Sequence, residues 1–193
     1  MEPQLVLASA SPRRARILRD LGLAFRVVVS GADEALRPGE DGAAAVERLA
    51  RAKAQAVAAG ETLPVLAADT EVLLDGRVLG KPGSEAEAAA MLGRLAGRSH
   101  DVVTGVCLAA GGILRSAVER TTVRLSPMTD GERAWYAATG EPLDKAGGYH
   151  VDARGAFFVE SVSGSPSNVA GLPVRLVLRL LREAGLDLGP PAH

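Results

Sequence analysis

Hydrophobic and polar positions change period several times along this chain, and each change marks an element. Leu5 to Leu7 is a short apolar run that predicts a strand, and Pro12 to Leu21 continues at helical spacing until Gly22 closes it. Phe25, Val27 and Val29 fall at period two and predict a strand with strict alternation. Val46, Leu49, Ala50 and Val57 recur at helical spacing and predict an amphipathic helix ending at Gly60. Val65 to Ala68 reads as a short buried strand. Val72-Leu73-Leu74 and Arg77-Val78-Leu79 flank Asp75-Gly76, the signature of a hairpin with a two-residue turn. Ser84 with Glu87, and Thr129 with Glu132, have capping-box spacing and open helices that run to Gly97 and Gly140. Between these helices lie two apolar runs, Val102 to Ala109 and Val118 to Leu125, separated by Gly111-Gly112. A last amphipathic helix opens at Leu172-Pro173 and carries Leu176, Val177, Leu180 and Leu181. Strands and helices alternate with no internal repeat and no linker, which predicts an α/β fold around a mixed twisted sheet. Residues 1–187 are expected to form a single domain and 188–193 a flexible tail.

Composition narrows what such a fold can do. The 193 residues are 47% apolar, enough for a sizeable core. A formal charge of -1 argues against a partner that is a nucleic-acid polymer or an anionic membrane surface, since both need a net basic face. The single cysteine, Cys107, lies in a strand-like run and excludes a disulfide framework. No charged leader with an apolar run opens the chain and no stretch of about twenty apolar residues occurs, so a soluble cytoplasmic protein is expected.

Among 22 basic residues only Lys53, Lys81 and Lys145 are lysine, and their positions matter more than their number. A compact ammonium suits phosphate oxygens. Lys53 falls seven residues after Val46, within the apolar stripe of its helix, and therefore points inward; its head reaches either a polar cleft or a wet rim. Ser9 and Ser11 lie in the turn after the first strand. Ser11 is a natural N-cap and Pro12 fits the first helical position, so Arg13 and Arg14 occupy the first turn. Cations there oppose the helix dipole unless an anion binds among them and the free amides, which makes the turn either a triphosphate cradle or an exposed basic turn. Residues 76–82 look like a Walker loop but are one residue short, with Pro82 where a magnesium-binding hydroxyl belongs. Lys81 instead follows the hairpin directly. Asp69 closes a buried strand and is followed by Thr70, while Asp33 and Glu34 follow the Phe25 strand. Carboxylates at strand ends can hold a hard divalent cation against bound phosphates; Asp69 could alternatively cap its own turn. His100, His150 and His193 share no metal-ligand spacing with one another or with Cys107, which argues against zinc.

These segments occur in a set order. Ser9-x-Ser11-Pro12-Arg13-Arg14, Leu49-Ala50-x-x-Lys53-Ala54, Ala68-Asp69-Thr70, Gly80-Lys81-Pro82, Leu95-x-Gly97-Arg98, Asp144-Lys145-Ala146-Gly147 and Asn168-Val169-x-Gly171-Leu172-Pro173 resemble, across essentially the whole chain, the Maf family of nucleoside triphosphate pyrophosphatases. Any one of the motifs is weak; all of them in order are specific. The resemblance implies an elongated, two-lobed, ITPase-like α/β domain with a nucleotide cleft between the lobes, often as a homodimer. It implies hydrolysis of a nucleoside triphosphate to monophosphate and pyrophosphate with a divalent cation, Mg2+ or Mn2+. It makes Asp69 the catalytic carboxylate and a metal ligand, with Glu34 as a second candidate. Ser9, Ser11, Arg13, Arg14, Lys53, Thr70, Lys81, Lys145 and Asp152 are the candidate substrate-binding residues, and Arg13, Thr70 and Asp152 match positions associated with choice of base. Roles in clearing non-standard nucleotides and in cell-division arrest are attached to the same family.

Two positions depart from the pattern. Where family members acting on thymidine and uridine triphosphates carry Gly-Ile-Gln-Gly, this chain has His150-Val151-Asp152-Ala153. A glutamine amide both donates and accepts, whereas an ionised carboxylate only accepts, so Asp152 is expected to disfavour a carbonyl edge and to favour ring donors. Glu71 places an acid two residues from Asp69 where an apolar residue is usual; on a strand the two share a face, although an exposed edge residue is the reading that fits Glu71 better. A competing class, a non-catalytic nucleotide-binding regulator of division, fits less well because a sensor has no need of a general base.

Overall fold

The structure, a computed structural model, describes residues 2–188, so apart from Leu188 the expected flexible tail lies outside the described residues. The chain divides into two compact units, one of residues 1–69, 104–119 and 171–193 and one of residues 70–103 and 120–170. The elements in chain order are β1 (Leu5–Leu7), α1 (Pro12–Asp20), β2 (Phe25–Val27), α2 (Gly42–Ala58), β3 (Val65–Leu74), β4 (Arg77–Val78), α3 (Glu85–Leu95), β5 (Ser99–Ala110), β6 (Ile113–Leu125), α4 (Asp130–Ala138), β7 (Val159–Ser163), α5 (Pro166–Val169) and α6 (Val174–Glu183). Strand order is β2-β1-β3-β5-β6-β7, with β4 paired to β3. The sheet is mixed: β1 is parallel to both β2 and β3, while β4 and β7 are antiparallel to their neighbours.

In the first unit the strand period of two separates two cores. Leu5, Leu7, Leu66, Ala68, Val106 and Leu108 face the apolar stripes of α1 and α6, including Leu18, Leu176, Val177, Leu180 and Leu181. Val6, Val65, Ala67, Cys107 and Ala109 face Ala50, Ala54 and Val57 of α2. Each fully buried leucine in these layers contributes about 1.5–3 kcal/mol, so α1, α2 and α6 are held by their stripes rather than by propensity. Burial raises the Cys107 thiol to about 11, which makes it a small apolar residue and not a nucleophile. One close approach fixes the height of α2. A Cβ on Gly105 of β5 would stand 2.3 Å from the Val46 carbonyl oxygen, so the helix backbone rests directly on that glycine. The second unit has its own core, in which Val72, Leu74, Leu92, Leu95, Val123, Leu125 and Tyr136 meet.

Two elements differ from the sequence pattern. Val27 and Val29 are 48% and 65% exposed, so the alternation Phe25-Val27-Val29 does not mark a buried face. β2 ends at Val27 and sits at the edge of the sheet, paired only with β1. The runs Val65–Ala68 and Val72–Leu74 are one ten-residue strand, β3, because the polar stretch Asp69-Thr70-Glu71 keeps extended backbone instead of turning. Among the described residues no helix is long and apolar enough to cross a membrane.

Candidate active site

Lys53 enters the site from the buried face of α2. Because Val46, Ala50, Ala54 and Val57 commit that face to the sheet, the lysine cannot turn to solvent. Its Nζ donates to Asp69 Oδ1 at 2.6 Å and lies 2.8 Å from Glu34 Oε2. Lys53 and Asp69 are only 6% and 7% exposed, whereas Glu34 comes in from an exposed loop. The buried Asp69 carboxylate is compensated by the Lys53 ammonium, and that ammonium has Glu34 as a second acidic partner.

Glu34 owes its place to a staple that shows no periodic signal in the sequence. Arg48, on α2, donates from Nε and Nη2 to the two oxygens of Glu40, both at 2.6 Å, and from Nη2 to the Ala35 carbonyl at 3.1 Å. This two-pronged hydrogen bond holds the Glu40 carboxyl down at about 2. Asp33 Oδ1 accepts from the Ala35 amide, which tightens the same turn. The segment 33–40 is thereby tied to the helix that carries Lys53.

The turn after β1 is built around Ser9. Ser11 is the N-cap of α1, accepting from the Arg14 amide at 3.5 Å, and Pro12 begins the helix. Ser9 Oγ accepts from the Ser11 amide at 3.2 Å and from Arg14 Nη1 at 3.1 Å. Arg14 Nε donates to the Gly171 carbonyl at 2.7 Å. Arg14 is thus turned inward, where burial lowers its pKa against the opposing pull of Asp69 and Glu34. Arg13, next in line on the helix, is half-buried. The structure therefore brings Ser9, Ser11 and Arg14 together in one turn and Lys53, Asp69 and Glu34 together in one cluster.

Lys81, Lys145 and Asp152 belong to the second unit. The Gly147 amide donates to the Gly80 carbonyl at 2.9 Å, which pairs the backbone beside Lys145 with the backbone beside Lys81. Only glycine fits at 147: its φ is +73°, and a Cβ would meet Val72 Cγ2 at 2.9 Å. Lys81 is exposed, and Lys145 is half-buried with Nζ donating to the Leu143 carbonyl at 3.3 Å. Asp152 is exposed, and its Oδ1 lies 2.8 Å from His150 Nδ1. The loop that carries it is clamped by Glu141, which accepts from the Arg154 and Gly155 amides and from the Tyr136 hydroxyl at 2.8 Å. Burial raises the Glu141 pKa, and the bonds from Gly155, Tyr136 and Arg154 outweigh it, leaving the carboxyl below its ordinary value. Tyr136 in turn accepts from the His150 amide at 2.9 Å. Thr70 and Glu71, the two residues of β3 that follow Asp69, are half-buried.

The donor set suits a hard cation. Asp69 and Glu34 already converge on one positive charge, and both offer carboxylate oxygens. Among the described residues there is no group of three or more His, Cys, Asp or Glu that could hold a metal ion. Two carboxylates with the remaining positions filled by phosphate oxygens and water is how Mg2+ is commonly bound, whereas a dedicated protein cage is not.

A protein-family model described as "Maf-like protein" matches residues 4–184. A dTTP/UTP pyrophosphatase of Myxococcus xanthus (strain DK1622) is 51% identical over 185 residues, covering 95% of this chain and 94% of that protein. A dTTP/UTP pyrophosphatase of Symbiobacterium thermophilum is 48% identical, with 96% of each chain covered. Among solved structures, the Staphylococcus aureus Ham1 protein aligns over 93% of this chain and 96% of its own, at 15% identity and a TM-score of 0.51, a likeness of fold.

Proposed function

The chain belongs to the Maf-like protein family, and on that basis we propose that it is a nucleoside triphosphate pyrophosphatase, releasing monophosphate and pyrophosphate. The observation that carries this reading is the cluster of Lys53, Asp69 and Glu34, a buried carboxylate beside a second acid and a buried ammonium at 2.6 and 2.8 Å. In this reading Asp69 accepts a proton from the water that attacks the α-phosphorus, as the bond from that phosphorus to the bridging oxygen breaks and pyrophosphate leaves. Arg13 and the amides at the start of α1 present positive charge to the triphosphate, and Lys53 adds an ammonium on the phosphate side of Asp69. Ser9, Ser11 and Arg14 hold that turn in shape. Lys81 and Lys145 are proposed as further phosphate contacts, and Thr70 and Asp152 as base contacts. A Mg2+ or Mn2+ ion held by Asp69 and Glu34 together with phosphate oxygens would neutralise charge on the triphosphate and acidify the attacking water. The reading extends to a cytoplasmic homodimer, whose mass light scattering on the purified protein would measure.

The test is Asp69→Asn. In this variant Lys53 keeps Glu34 as a partner, so the fold is retained, while loss of a general base typically costs about 10²–10⁴-fold in turnover. Pyrophosphate release by the variant at the wild-type rate, with each triphosphate and Mg2+ or Mn2+, overturns the assignment. Diphosphate with orthophosphate as the products would indicate a different phosphatase. A saturable thermal shift with no product would favour a nucleotide-binding regulator.

A further inference from the structure

Lys53 occupies the point on which Asp69 and Glu34 converge. Its ammonium is 2.6 Å from Asp69 Oδ1 and 2.8 Å from Glu34 Oε2, and its stem is packed into the buried face of α2. Those are contact distances for a cation already in place. We propose that Lys53 is the resident cation of the Asp69–Glu34 pair, and that it keeps divalent ions off these carboxylates until a triphosphate competes for its ammonium.

The argument is one of charge and room. With the lysine present, the three groups sum to a single negative charge, and a divalent ion entering between the carboxylates would stand against a positive head whose stem is packed among apolar side chains. No third acid is available among the described residues to tip the balance, since none of them completes a metal-holding group of three. Arg14 adds to the same barrier: it is buried within electrostatic reach of both Asp69 and Glu34. A triphosphate changes the sum. Its oxygens offer the ammonium a new partner and the divalent ion new ligands together, so metal and nucleotide bind as linked events. The device would restrict the carboxylate pair to cations that arrive with substrate.

This inference rests on the assignment of Asp69 and Glu34 as ligands, and the experiment separates the two. Mn2+ binding to nucleotide-free protein is followed by electron paramagnetic resonance for wild type, Lys53→Met and Lys53→Arg. Removing one like charge at contact distance should tighten Mn2+ binding by about tenfold or more in Lys53→Met, whereas Lys53→Arg, which keeps the charge, stays with the wild type. Mn2+ should also raise the melting temperature of Lys53→Met more than that of the wild type. Lys53→Gln, neutral but still a hydrogen-bond donor, carries the same expectation if the methionine variant is too unstable to purify. Equal Mn2+ affinity in the wild type and the neutral variants, or weaker binding in the latter, overturns the proposal. In parallel, Mn2+ is titrated into wild type and Asp69→Asn with an α,β-methylene triphosphate analogue present. Loss of that binding in Asp69→Asn upholds the ligand assignment whatever Lys53 does, and its retention means that the assignment itself has failed.

Discussion

A lysine whose head touches two carboxylates answers a different energy balance from a lysine at a wet rim. Were Lys53 only a cation in the apolar stripe of α2, its removal would relieve a desolvation cost. The structure reverses that sign, because Lys53→Met strands the buried Asp69 carboxylate. Breaking a buried pair by removing one partner costs about 3–5 kcal/mol, and urea unfolding of Lys53→Met at neutral pH should show a loss of that size. A second buried group sets a pH limit. His100 is 3% exposed, its Nε2 is 2.8 Å from the Tyr149 hydroxyl, and among the described residues its Nδ1 has no hydrogen-bond partner. Desolvation lowers its pKa from 6.5 to about 4, against a weaker opposing pull from Asp101. Between those values the unfolded chain binds a proton that the folded chain refuses, so stability falls as pH drops from 6.5 toward 4 and is untouched by this group above 6.5. His100→Gln keeps a hydrogen-bonding side chain without the titration. Its loss of stability between pH 7 and 4.5 should be smaller than that of the wild type by about 2 kcal/mol, measured by denaturant unfolding at both pH values.

At the scale of elements, periodicity located the helices and missed what joins them. α1, α2 and α6 follow the apolar stripes closely, since a buried stripe at spacing 3.6 admits one structure. β2 and β3 were harder to read. A period-two pattern cannot tell an edge strand from a covered one, and Asp69-Thr70-Glu71 has the polarity of a break although the backbone runs straight through it. Arg14 turning inward, the Arg48–Glu40 staple and the Glu141–Tyr136 clamp also left no mark, because each depends on residues brought together by folding rather than by spacing. The position of α2 supplies a test. Alanine at Gly105 places a methyl group 2.3 Å from the Val46 carbonyl oxygen, and since the obstacle is backbone, the helix itself must lift from β5. Gly105→Ala should cost about 3 kcal/mol or more in stability, near the upper range of overpacking. Because the same helix carries Lys53, catalytic efficiency should fall with it. Melting curves and pyrophosphate release on the same preparation check both, and an unchanged melting temperature would mean that α2 does not rest on Gly105.

At the scale of the whole molecule, the family was legible because seven short motifs stand in one order, and their residues supply the paired Lys53 and Asp69 and the capped turn, while Glu34 lies outside them. Choice of base is written less plainly. The relatives at about 50% identity are named for dTTP and UTP, yet this chain has Asp152 where a glutamine is expected in such proteins. Asp152 stands on a loop held by Glu141, 2.8 Å from His150 Nδ1, so one of its oxygens faces a ring nitrogen and the carboxylate as a whole can only accept. A base edge that presents donors, the adjacent N1-H and N2-H of guanine or the amino group of cytosine, suits that acceptor; the O4 carbonyl of thymine or uracil does not. Asp152→Gln restores a group that donates as well as accepts. It should therefore move the ratio of catalytic efficiencies toward dTTP and UTP, relative to guanine and cytosine nucleotides, by about 1–3 kcal/mol, the cost of mispairing a polar group that the bound base would cover. The measurement is kcat/KM for wild type and variant on one panel of triphosphates under one metal concentration. The same ranking in both proteins would show that Asp152 does not face the base, and that selection lies with backbone groups or with Arg13 and Thr70.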